Sequence, residues 1–164
     1  MSLSPERLRL ALYQPDIAQN AGAMLRSCAC FGVSASIIGP AGFPSSDRHF
    51  RRAGLDYLDQ VIIERHDSWR VFEDWRRGAG RRLILLTTKA ATAHWDFAFA
   101  PGDVLLVGRE SAGVPDEVHA AADARVRIPI RPATRSLNVS VAAGIALSEA
   151  LRQIGPNFEE AAHD

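Results

Sequence analysis

The sequence predicts an open α/β sheet, parallel throughout and covered by helices on both faces. Short apolar runs alternate with stretches of helical period along the chain, and most of the runs are continuously apolar rather than alternating. Continuous apolar runs fit strands buried on both faces. The β/α alternation fits parallel strands joined by crossover helices in a doubly wound arrangement.

Each element has its own warrant. Leu8–Tyr13 is the first strand. Met24, Leu25, Cys28 and Phe31 then recur at i, i+1, i+4 and i+7, a helix that stops at Gly32. Ala35–Ile38 and Gln60–Glu64 are the next strands. Ser68–Arg77 is an amphipathic helix with Val71, Phe72 and Trp75 on one side, so Trp69 and Trp75 read as fillers of a core or groove rather than base-stacking platforms. Leu83–Thr88, Val104–Val107 and Val126–Ile130 complete the strands. Asp116–Ala122 is a short helix, and Leu137–Ile154 is the longest. Between Thr88 and Asp103 there is too little helical pattern for an ordinary crossover.

A chain of 164 residues fits one domain over residues 1–155, followed by a loose tail at 156–164. No apolar run approaches the roughly twenty residues of a membrane span. The N-terminus lacks the apolar core of a signal peptide, so a cytoplasmic protein is expected. Formal net charge is zero, which gives no global electrostatic case for nucleic acid. The basic residues are nevertheless clustered and, Lys89 apart, all arginines. Arg48, Arg51 and Arg52 form one group with His49; Arg76, Arg77, Arg81 and Arg82 form another. Either group could meet RNA phosphates or be a solvated helix face.

Cys28 and Cys30, two residues apart on a helix, point to different faces, which disfavours a disulfide or a shared metal. The five histidines follow no metal-ligand spacing. No metal is expected.

The chemistry concentrates in the last third. Leu105-Leu-Val-Gly-Arg-Glu-Ser-Ala-Gly-Val-Pro115, Arg127-Ile-Pro-Ile130 and Ser136-Leu-Asn-Val-Ser140 each lie at or beside an apolar run. In an α/β sheet, ligands sit outside the carboxyl ends of strands, where amides are free and glycine lets the backbone approach. The chain has no Gly-x-Gly-x-x-Gly after its first strand and no phosphate-binding Gly-x-x-x-x-Gly-Lys-Ser/Thr. The site is therefore not a Walker or Rossmann loop. Plainer roles stand beside this one: turn glycines at 108 and 113, strand core at Ile128 and Ile130, helix caps at Ser136 and Asn20, and a surface arginine at Arg26.

Taken in order, these motifs resemble a known family. Asn20-Ala-Gly22-x-x-x-Arg26, Gly108-Arg-Glu110-Ser-Ala-Gly113-Val-Pro115, Arg127-Ile-Pro-Ile and Ser136-Leu-Asn138-Val-Ser140-x-Ala are similar to the motifs of the SPOUT superfamily of RNA 2′-O-ribose methyltransferases. Leu12-Tyr-Gln-Pro-Asp-Ile-x-x-Asn-x-Gly22, Arg51-Arg-Ala-Gly-Leu-Asp-Tyr57 and Leu86-Thr-Thr-Lys89 resemble its small TrmL-type branch, which acts on the tRNA wobble nucleotide. The likeness covers about residues 8–155.

The resemblance implies a C-terminal deep trefoil knot, against the general rule that chains avoid threading, and a homodimer paired across the knot. It implies S-adenosylmethionine held by Leu86, Gly108, Ile128 and Ser136, with Ile130 and Leu137 close by. It also implies methyl transfer to the 2′-hydroxyl of the nucleotide at position 34, cytidine or modified uridine, in the anticodon arm. By the same route Arg26 is the central catalytic residue, with Asn20, Glu110 and Asn138 orienting it and the loops. Arg48, Arg51 and Arg52 are the candidates for gripping RNA. Two positions depart from relatives: Ser148, where many carry tyrosine, and Arg109, where the wobble-specific branch often has proline. The rival readings are a SPOUT methyltransferase acting on another tRNA position or on ribosomal RNA, and a flavodoxin-like nucleotide-binding module without chemistry. The Asn20, Arg26, Glu110 and Asn138 set speaks against the second.

Overall fold

The computed structural model describes residues 6–53, 55–156 and 158. Seven strands form one sheet: β1 Leu8–Tyr13, β2 Ser34–Ile38, β3 Ile63–His66, β4 Leu83–Leu86, β5 Thr92–Ala93, β6 Asp103–Val107 and β7 Ala124–Arg127. Their order is β3-β2-β1-β6-β4-β7-β5, and every pairing is parallel. The helices are α1 Ala18–Phe31, α2 Asp47–Arg52, α3 Trp69–Gly78, α4 Asp116–Ala121 and α5 Val139–Ile154.

Strand periodicity divides the core into two layers. Leu8, Leu10 and Leu12 of β1, with Leu105 and Val107 of β6, pack against α1 and α5. Ala11 and Tyr13, with Val104 and Leu106, pack on the other face against Phe72 of α3 and Val118 of α4. Both faces are covered, as the continuous apolar runs require. Helix α1 ends at Gly32, whose φ of 66° lies in the left-handed region that suits glycine.

Several boundaries differ from the sequence reading. The third strand is Ile63–His66, because it pairs with the five-residue β2 from Ala35↔Ile63 to Ile38↔His66; Gln60 lies instead in a short 3₁₀ turn. The fourth strand ends at Leu86 and not Thr88, where the Thr87 hydroxyl accepts a bond from Lys89 N and turns the chain. The last strand ends at Arg127 and not Ile130: its neighbour β5 reaches only to Ala93↔Arg127, and Pro129 has no N–H to donate. Asn138 caps α5 through a 2.9 Å bond from Ser140 N, so the helix starts at Val139 and Ser136 is not its cap. Asn20 is inside α1 rather than capping it, and Val71 is exposed rather than part of the buried face. Helix α2 and strand β5 were not foreseen. Apart from Pro156 and Phe158, the tail over 156–164 lies outside the described residues.

The second arginine group is largely structural. Arg76 is buried and donates to both oxygens of buried Glu73 at 2.6 and 2.8 Å, to the Arg81 carbonyl at 2.8 Å and to Asp123 at 3.1 Å. Arg82 pairs with buried Asp103 at 2.7 Å. A second buried network runs from Arg9 to the Ser36 hydroxyl (2.8 Å) and on to His66 Nε2 (3.0 Å). The Ser36 hydroxyl, with one proton to give and two lone pairs to accept, bridges the Arg9 guanidinium and the His66 ring. Burial holds the His66 pKa below its ordinary value.

Two stability predictions follow from these networks. Arg76→Ala leaves Glu73 buried without its partner and should lower the urea unfolding free energy by about 3–5 kcal/mol. Arg77→Ala, an exposed partner of the same carboxylate, should cost no more than about 1 kcal/mol. For His66 the folded pKa is depressed, so the unfolded chain takes up the proton first as pH falls. Stability should therefore decline once pH drops below about 6.5, the ordinary histidine value. Urea midpoints at pH 7.5 and 5.5 should show a larger loss for the wild type than for His66→Gln.

Candidate active site

All seven parallel strands point their carboxyl ends to one edge, so the loops that follow β1, β4, β6 and β7 meet there. They enclose a cavity of about 420 Å³. Its apolar lining comes from Leu86 at the end of β4, Val107 of β6, and Ile128, Ile130 and Leu137 beyond β7. Asn20 of α1, Asn138 at the start of α5, and the 108–113 segment supply polar groups.

That segment is a tight hairpin. Arg109 N donates to the Gly113 carbonyl at 2.9 Å, and Gly113 N to the Arg109 carbonyl at 2.8 Å. A Cβ on Gly108 would stand 2.7 Å from the Gly113 carbonyl carbon, so only glycine lets the hairpin close at this point. Gly113 itself has a φ of 62°. Asn138 works in two directions: its Oδ1 accepts from Ser140 N, and its Nδ2 donates to Asn20 Oδ1 at 3.1 Å, tying the start of α5 to the start of α1.

Glu110 lines the cavity, and Asp16, just after β1, lies beside it. Burial first, then the adjacent Asp16, raises the Glu110 pKa. Asp16 falls to about 2, chiefly through the neighbouring Glu110 carboxyl and then through the 2.5 Å bond from the Ser111 hydroxyl. Asp16 Oδ1 and both Glu110 oxygens are buried with no donor among the described residues, because two ionised carboxylates offer none. Arg109 stands 3.7 Å from Asp16 Oδ2.

The structure brings Asn20, Glu110, Asn138, Leu86, Gly108, Ile128, Ile130, Ser136 and Leu137 together around this cavity. It does not bring Arg26 there. Six residues beyond Asn20, Arg26 is about 9 Å along α1 and about 120° around it. Its guanidinium lies over the Tyr57 ring, 4.6 Å from the centroid, and 3.9 Å from Asp56, with 60% of its side chain exposed. Tyr57 is fixed in turn by its hydroxyl bond to the Gly22 carbonyl at 2.5 Å. Arg48, Arg51 and Arg52 lie exposed on α2, which follows β2 at the same carboxyl edge. Arg51 is tied to Asp59 at 2.9 Å, while Arg48 and Arg52 have no ion-pair partner among the described residues. Sequence reasoning missed Asp16 and Ser111 as part of the site; both sat inside the quoted motifs, but their pairing needs the sheet to bring the two loops together.

Buried Cys28, pushed up to about 12 by burial, is a packing residue, and Cys30 is exposed. Among the described residues, no His, Cys, Asp and Glu side chains cluster to hold a metal ion, and no helix is long and apolar enough to cross a membrane.

The hairpin makes a direct prediction. Gly108→Ala forces the Gly113 backbone to move and should cost about 1–3 kcal/mol in thermal or urea unfolding. Gly78→Ala, at the end of α3 with nothing within 4 Å of the new Cβ, should cost nothing measurable.

Comparison with known proteins agrees with this geometry. A protein of Beijerinckia indica named tRNA (cytidine(34)-2'-O)-methyltransferase is 67% identical over 146 residues, covering 89% of this chain and 91% of the relative. A solved structure described as "Structural insights into the 2-OH methylation of C/U34 on tRNA" superposes with a TM-score of 0.82 at 40% identity, covering 92% of this chain and 97% of the other. The SpoU methyltransferase AviRb from Streptomyces viridochromogenes, solved in complex with the cofactor AdoMet, superposes with a TM-score of 0.80 at 27% identity, over 92% of this chain and 62% of that one. The profile of the SpoU rRNA Methylase family matches residues 7–148, and the chain belongs to that family.

Proposed function

We propose that this protein transfers the methyl group of S-adenosylmethionine to the ribose 2′-hydroxyl of the wobble nucleotide, position 34, in the tRNA anticodon loop, with cytidine or a modified uridine as the base. The observation that carries this reading is that every residue taken over by motif for the cofactor stands around one cavity, with Asn20, Glu110 and Asn138 beside them.

The lining fits the cofactor by its chemistry. A flat adenine suits the apolar sides that Leu86, Ile128, Ile130 and Leu137 offer, and the loop amides beyond the strand ends can meet its edge. Closure of the hairpin at Gly108 puts backbone rather than side chain against the ligand. When bound, S-adenosylmethionine supplies a methyl group made electrophilic by its sulfonium.

The chain's own residues position and activate the acceptor. A 2′-hydroxyl is a poor nucleophile at neutral pH and must lose or share its proton during the transfer. A guanidinium stays protonated. In this reading Arg26 therefore clamps the phosphate beside the reacting ribose and polarises the hydroxyl, and the proton leaves to phosphate or water. The Asn20–Asn138 bond and Glu110 hold the loops in register, so that the two reactants meet in line and avoid a large entropic cost.

Arg26 faces away from the cavity of its own chain, and a homodimer resolves this: Arg26 of one subunit serves the cavity of the other. The exposed apolar side chains of Ile17, Leu137, Val141 and Ile145, at the cavity and along α5, support pairing there. Arg48 and Arg52, with Arg51, meet the phosphates of the anticodon arm. The described residues up to Gly155 act as one methyltransferase domain, in the cytoplasm. The chain from β4 onward threads the family's trefoil knot, a path supported by the out-of-sequence position of β6 between β1 and β4.

The test is methylation of unmodified tRNA by the purified protein with S-adenosylmethionine, with mass mapping of the product nucleoside. Methyl groups on the ribose at position 34 are expected; methylation elsewhere, or none, would overturn the reading. Arg26→Ala should lower kcat by about 10²–10³-fold, the scale of a lost electrostatic contact at a reacting group, and leave calorimetric affinity for S-adenosylmethionine unchanged.

A further inference from the structure

The loop after β1 and the hairpin after β6 touch through side chains of which the reaction as described uses only Glu110. Asp16 Oδ2 accepts the Ser111 hydroxyl at 2.5 Å and lies 3.7 Å from Arg109. Its Oδ1 is buried without a donor, as are both oxygens of Glu110, and Glu110 lines the cavity. The backbone aims Asp16 at this spot. Gln14 is held at a φ of 40°, the one positive φ among described non-glycine residues; its N–H donates to the Ile38 carbonyl at 2.8 Å. Pro15 O accepts from Gly42 N at 2.9 Å, and a Cβ on Gly42 would stand 3.0 Å from Asp16 Cα. Backbone strain of this kind persists where the surroundings over-determine it.

Three solvent-shielded carboxylate oxygens without donors would be costly if both groups were ionised. One proton removes most of that cost: carried by Glu110, it is donated to Asp16, and the pair then has a single negative charge facing Arg109. We propose that Asp16 is a positioning residue for methyl transfer, which holds Glu110 through one shared proton and Ser111 through its hydroxyl, and so fixes the 108–113 hairpin as a wall of the cavity. This rests on the methyltransferase reading above. It adds a residue outside the expected catalytic set and assigns Glu110 a neutral, hydrogen-donating state. The other charged or titratable groups around the pair are Arg109 on the hairpin, Tyr13 at the end of β1 and Glu117 on α4.

Two readouts test it. In protein labelled with carboxyl-¹³C glutamate, with the Glu110 resonance identified by its loss in Glu110→Gln, Glu110 should titrate above the ordinary glutamate range. In Asp16→Asn the midpoint should move down, because the amide donates without adding negative charge. In methyl transfer to tRNA, Asp16→Ala should lower kcat by about 10- to 10²-fold, the effect of a small misplacement at a reacting centre. Asp16→Asn, which can still accept from Ser111 and donate to Glu110, should recover most of that loss. A Glu110 midpoint that is the same in wild type and Asp16→Asn would overturn the proposal, as would wild-type kcat in Asp16→Ala. If Asp16→Ala does not fold, the Asp16→Asn titration decides. If the wild type does not methylate tRNA, the functional reading fails on its own, and the titration still decides whether the proton is shared.

Discussion

The parallel pairing of β1 with β6 determines what happens at the edge of the sheet. The two strands run side by side from Leu8↔Asp103 to Leu12↔Val107, in the middle of seven, joining the N-terminal half of the chain to the C-terminal half. Their registers end together. The residues that follow them, Gln14 to Asp16 on one side and Gly108 to Gly113 on the other, therefore leave the sheet at the same height and next to each other. The contacts of Asp16 with Ser111 and Glu110 follow from that, as does the position of the hairpin over the cavity. A one-residue slip in this pairing would turn Leu10 and Leu12 from one core layer to the other. The buried apolar set holds the site in register as firmly as any polar contact.

Charge is managed differently at the two ends of the sheet. At the amino edge, Glu6, Arg9, Arg81 and Glu64 form a paired network with short contacts, and Arg9 and Arg81 also lie against the Trp75 ring. Opposite charges there neutralise one another locally. At the carboxyl edge, the Asp16 and Glu110 carboxyls lie together, and three of their oxygens are buried without a donor among the described residues.

Much of this was legible in the sequence. The strand cores, the glycine stop of α1 and the clustering of the last-third motifs follow from apolar period and turn chemistry. What could not be read locally depended on partners distant in the chain. The end of the last strand is fixed by the two residues of β5, the start of α5 by the side chain of Asn138, and the burial of Arg76 by Glu73 and Asp123. A cluster of arginines looks the same in sequence whether it is folded inward, like Arg76, or left facing solvent, like Arg48. The direction of Arg26 is not legible locally either: the Asn-to-Arg spacing carries it around the helix, and only its contacts with Tyr57 and Asp56 show which way it faces.

The strands at the two borders of the sheet bear on how this protein can meet another copy of itself. One border is β5, two residues long, and the other is β3, four residues long with Glu64 and Arg65 in its middle. Short or charged borders make poor templates for a further strand. Growth of the sheet from molecule to molecule is disfavoured on both sides, even though nearly every strand between them is richly apolar. Any stable association is thereby directed to the helical surfaces and loops, where it can be specific and closed, and away from the open-ended stacking that leads to fibres.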